Sequence, residues 1–127
     1  MFKLNPYFAG LFAVAVAGLT QAPAFAAAAI AKDSNDRFYY STRSSEEAAY
    51  SGVLQYCSRE GGSNCTVVNS DSSGGWGAVA TSPSRYGAAL SYRSKAAAVR
   101  AALNSCARET PRNETCRVVL TFFDDFR

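Results

Sequence analysis

Ser45 to Glu60 reads SEEAAYSGVLQYCSRE, and 49 residues further on Ser94 to Glu109 reads SKAAAVRAALNSCARE. Seven of the sixteen aligned positions are identical: Ser45/Ser94, Ala48/Ala97, Ala49/Ala98, Leu54/Leu103, Cys57/Cys106, Arg59/Arg108 and Glu60/Glu109. Two extra residues in the second loop bring Cys65-Thr66-Val67-Val68 opposite Cys116-Arg117-Val118-Val119. Chance similarity between Ala-rich helices does not account for both cysteines, the Arg-Glu pair and the following Val-Val. The spacing predicts a duplicated unit, and two copies are too few for a solenoid, which needs about three to bury its faces.

Working outward, each copy reads as strand, helix, strand. Ser44 followed by Glu47 is a capping-box pattern for a helix over Ser45 to Arg59, with Tyr50, Val53, Leu54 and Cys57 on its apolar face. Ser94 caps a second helix ending near Arg108, with Val99, Ala102, Leu103 and Cys106 at equivalent places. Aromatic and β-branched residues mark strands at Phe38 to Thr42, Cys65 to Asn69 and Cys116 to Phe123. Trp76 to Thr81 and Tyr86 to Tyr92 flank Ser82-Pro83-Ser84 as a hairpin. The predicted order is β-α-β-β-β-α-β. The expected fold is α+β: two similar β-α-β halves over 37–69 and 76–123, with two helices on one face of a mainly antiparallel sheet, in a single domain over 37–127.

Met1-Phe2-Lys3, the apolar run from Phe8 to Leu19 and the small residues Ala24 and Ala26 have the order of a secretory signal over 1–26. The apolar run of 12 residues is short for a membrane-spanning helix. Cleavage is predicted after Ala26, leaving 101 of the 127 residues, a flexible lead-in over 27–36 and no stable membrane insertion. In an oxidising compartment, periplasmic or extracellular, the four cysteines read as disulfides. Four cysteines allow three pairings. Because each helix ends with one cysteine and each returning strand begins with one, the expected staples join Cys57 to Cys65 and Cys106 to Cys116. Neither spacing is that of a zinc knuckle or a C-x-x-C redox site, and no metal or cofactor is expected.

The run Trp76-Gly77-Ala78-Val79-Ala80, Tyr86-Gly87, Ser94 with Ala96-Ala97-Ala98, Leu103, Cys106 and Cys116-Arg117-Val118-Val119 resembles a family of small secreted bacterial domains of unknown function. The resemblance covers residues 76–123, with a degenerate echo over 37–69. It implies a bacterial exported protein and a compact α+β fold, with no established reaction.

Histidine is absent, which excludes Ser-His-Asp and Cys-His nucleophiles and His-based acid/base catalysis. The remaining acid/base equipment is Glu46-Glu47, Glu60, Glu109 and Asp124-Asp125, and no spacing places two of them across a cleft. Residues 27–71 carry a net charge of −2 and residues 72–127 one of +4. Arg100 and Arg108 share one side of the second helix and, with Tyr39, Tyr40, Tyr86 and Tyr92, make the expected binding surface. The whole-chain net charge of +3 is small for a nucleic-acid binder, so the expected partner is a protein or an envelope polymer. The expected function is a non-enzymatic binding or interaction domain. The alternatives are a secreted effector acting on host or competitor cells and a carboxylate-dependent envelope hydrolase.

Overall fold

The computed structural model describes residues 26–124. The predicted export segment, Ala26 apart, and Asp125 lie outside them. The elements in chain order are β1 (Ala27–Lys32), β2 (Phe38–Arg43), α1 (Glu46–Arg59), β3 (Thr66–Asp71), β4 (Gly75–Thr81), β5 (Tyr86–Tyr92), α2 (Lys95–Glu109) and β6 (Arg117–Asp124).

The strands make two antiparallel three-stranded sheets, ordered β2-β1-β3 and β5-β4-β6. The fold is α+β, but the single sheet expected from sequence is two sheets, and the residues responsible are Ala27 to Lys32. Expected as part of a flexible lead-in, they form the central strand of the first sheet. Alanine is a poor strand former in isolation. Here its small size is what permits burial on both faces, because Ala27, Ala29 and Ala31 pack with Ala49, Val53 and Cys57 of α1 while Ala28 and Ile30 face the other sheet. β4 repeats the arrangement. Ala78 and Ala80 pack with Ala98, Ala102 and Cys106 of α2, and Val79 faces inward beside Ile30. The layers therefore run α1, first sheet, second sheet, α2. The central core between the sheets holds Ala28, Ile30, Val79, Leu90 and Phe122.

Both helices start as the sequence predicts, although the first cap is Ser45 rather than Ser44. Ser45 Oγ accepts from the Ala48 N–H at 3.2 Å, and Ser94 Oγ accepts from the Ala97 N–H at 3.0 Å. The buried stripes are narrower than expected and made of small residues: Ala49, Gly52, Val53 and Cys57 on α1, Ala98, Ala102 and Cys106 on α2. Tyr50 is exposed. Small stripes let helix and sheet approach closely. At Gly87 of β5 a Cβ would collide with the Ala102 carbonyl and the Cys106 N–H, so only glycine fits. The disulfides join Cys57 to Cys65 and Cys106 to Cys116, as expected, and each ties a helix end to the following strand. Among the described residues no helix is long and apolar enough to cross a membrane. Two disulfides are consistent with an extracellular or periplasmic protein.

Candidate binding groove between two hairpin turns

The β1–β2 and β4–β5 turns lie at one end of the molecule, and each is built around a single polar side chain. In the first, the buried Asp33 carboxylate accepts hydrogen bonds from the N–H groups of Asn35 (2.8 Å) and Arg37 (3.0 Å), from Arg37 Nε (3.0 Å) and from the Tyr39 hydroxyl (2.8 Å). Burial acts to raise the Asp33 pKa, but these hydrogen bonds and the Arg37 charge together hold it down to about 2. The same bond, together with burial, pushes the Tyr39 hydroxyl above its ordinary value. In the second turn Ser82 Oγ accepts from the Arg85 N–H at 3.0 Å and meets Thr110 Oγ1 at 2.9 Å.

Both turns are clamped to the loop that follows a helix. Ser34 meets Ser63 through their hydroxyls at 2.7 Å, within the Cys57–Cys65 loop. Ser84 donates from its N–H and hydroxyl to Glu114 Oε1 at 3.1 and 2.7 Å, within the Cys106–Cys116 loop. The Ser84 hydroxyl holds the Glu114 carboxyl below its usual range. The disulfides thus brace the turns through these contacts.

Between the turns is a groove of about 660 Å³. Phe38 and Tyr86 line it with ring centroids 5.4 Å apart. Ser82 and Arg85 contribute from the β4–β5 turn, Lys32 and Asp36 from the first hairpin, Asn69 from β3, and Ser105 and Glu109 from α2. Lys32 Nζ pairs with Asp36 Oδ1 at 2.9 Å. The lining combines an apolar ring pair with hydroxyl, amide and balanced charged groups, a composition suited to a polar ligand with an apolar face.

Of the residues singled out from sequence, Tyr86 from the expected binding surface and Glu109 from the candidate carboxylates line this groove. Tyr39 is buried, its hydroxyl on Asp33 and its ring edge-on to Tyr56 at 5.9 Å, so it offers no binding surface. Tyr40 stacks on Phe122 with ring centroids 4.2 Å apart and planes nearly parallel, and Gly77 leaves the space that the Phe122 ring fills. Tyr92 is exposed at the far end of β5, and Arg100 and Arg108 are exposed on α2. The flagged carboxylates are dispersed: Glu46 Oε2 accepts from Ser70 Oγ at 2.7 Å at the start of α1, Glu109 ends α2, and buried Asp124 ends β6. Sequence reading missed Asp33, Lys32, Asp36, Ser82 and Ser105. The signal for the first three was present in Asp33-Ser34-Asn35-Asp36, a turn-forming run that marks a hairpin once Ala27 to Lys32 is recognised as a strand.

No curated protein and no solved structure matches the chain. Residues 76–126, which take in almost all of β4, then β5, α2 and β6, match DUF4189, a domain of unknown function.

Proposed function

We propose that this is an exported, non-enzymatic binding module whose ligand seats in the groove between the two hairpin turns. The groove itself carries the reading. It is concave, its walls are held by the Asp33 and Ser82 networks and the disulfide loops, and the Phe38–Tyr86 pair gives it an apolar floor among hydrogen-bonding groups. Preformed walls lower the ordering cost of binding. A saccharide unit of an envelope polymer fits this lining better than an apolar ligand does, because each face of a sugar ring meets either the rings or the hydroxyls. Asp36 is ion-paired with Lys32 and Glu109 stands exposed at the end of α2, which favours binding over acid/base catalysis.

The fold also supports reading the first half as a diverged second copy of the unit matched at 76–126. The offset of 49 found in the helices extends upstream to Ala29/Ala78 and Ala31/Ala80, both facing a helix. It relates the sheet irregularities too, one between Ile30 and Ala31 and the other between Val79 and Ala80.

The test is retention of the oxidised, mature protein on insoluble envelope polymer. Retention is expected, with about tenfold weaker binding for Tyr86→Ala and Ser105→Arg at unchanged thermal stability. Absence of retention, or retention indifferent to both substitutions, rules the groove out.

A further inference from the structure

At the end of the second sheet remote from the groove, three aromatic side chains stand on adjacent strands. Trp76 of β4 is the cross-strand partner of both Tyr92 on β5 and Phe123 on β6. Directly opposed residues project from the same sheet face, so the three form one row. The row depends on a bulge. Ala88 and Leu90 of β5 point between the sheets, and strict alternation would send Tyr92 with them, but the register shift between Trp76 and Ala78 and the +68° φ of Ser91 turn it to the outer face. Trp76 packs against the core beneath α2, and its ring lies 5.2 Å from that of Phe123. Tyr92 and Phe123 remain 39% and 48% exposed.

Two cations adjoin the row. Arg93 and Lys95 follow Tyr92 in the chain, both are exposed, and among the described residues neither forms an ion pair. The first half supplies an internal comparison. At the offset of 49, Trp76 corresponds to Ala27, Tyr92 to Arg43 and Lys95 to Glu46. The same architecture therefore stands without the rings, with Ser44 in place of Arg93 and a carboxylate in place of Lys95, so the fold does not require the row.

We propose that Tyr92, Trp76 and Phe123 form a platform for an anionic glycan, with sugar rings stacked on the aromatic side chains and glycan carboxylates paired with Arg93 and Lys95. Strands about 4.8 Å apart spread the three rings over about 10 Å, comparable to two linked pyranose rings. Aromatic faces take the apolar face of a sugar, and the adjoining cations select a charged polymer over a neutral one. This surface is separate from the groove and does not depend on its assignment.

Affinity electrophoresis of the disulfide-bonded mature protein through polygalacturonate at low salt tests the proposal, with neutral dextran and poly(dT) as comparators. Retardation by polygalacturonate alone is expected, weakened about tenfold in Tyr92→Ala/Phe123→Ala and in Arg93→Glu/Lys95→Glu and unchanged in Tyr50→Ala, at an exposed ring of α1 outside both surfaces. Trp76 stays intact because it supports the core, and circular dichroism verifies that each variant is folded. No retardation, retardation undiminished in the folded Tyr92→Ala/Phe123→Ala variant, or stronger retardation by dextran or poly(dT) overturns the proposal.

Discussion

The Asp33 carboxylate holds four donors while almost fully excluded from solvent. A carboxylate so placed is worth more ionised than protonated. With its pKa at about 2 in the folded state against an ordinary 3.8, its contribution is complete above about pH 4 and is lost as the pH falls from there towards 2. Asp33→Asn should therefore lower the urea midpoint at pH 6 and flatten its further fall between pH 4 and pH 2. An unaltered acid slope in the variant would sink this account. Asp33 was not legible in sequence, since one aspartate in a polar run does not announce burial, and the hydroxyl that buries it belongs to Tyr39, expected on a binding face. Tyr86 was legible as a surface aromatic, but its partner Phe38 comes from the other sheet, and no local pattern pairs them.

The helices and staples were the legible elements, because caps, breakers and cysteine positions are local signals. Ser94, the end of α1 before Gly61-Gly62 and both cysteine pairs are found where the spacing puts them. β1 was not legible: an alanine run has no strand signature, and its place comes from what covers it on two sides. The staples have a predictable worth. Closing loops of 8 and 10 residues contributes about 2–3 kcal/mol each by the chain-entropy relation. Cys106→Ser/Cys116→Ser should lose about that much in denaturant unfolding. It should also loosen the β4–β5 turn, since Thr110, whose hydroxyl meets Ser82, lies 3.6 and 3.4 Å from the two sulfurs. Faster amide exchange at Ser84 and Arg85 would report this. Exchange unchanged there would separate the turn from the disulfide.

For the whole molecule, the central core belongs to neither half. Ile30 from one sheet and Val79, Leu90 and Phe122 from the other are buried only because the sheets face each other. A fragment spanning residues 74–124 would expose its three large contributors on one face, an apolar patch that favours association or unfolding. It should sediment as an oligomer or show no cooperative thermal transition. A cooperatively folding monomer would show that the second sheet and its helix are self-sufficient. The two faces assigned to ligands lie at opposite ends of the second sheet, a placement that suits one domain contacting two stretches of polymer at once.

The burial of the first sheet's middle strand also imposes a timetable. Ala26 is only 7% exposed, and Ala27, fully buried, pairs with Arg43. A protease must hold the chain on either side of the bond it cuts, and the finished fold keeps that bond inside. If the export signal is removed after Ala26, removal precedes the insertion of β1, and the first sheet closes only on a freed chain end. Maturation is then a one-way gate: signal peptidase should cut the urea-unfolded precursor readily and the refolded one hardly at all. Equal cutting of both would show that the strand enters its sheet with the leader still attached.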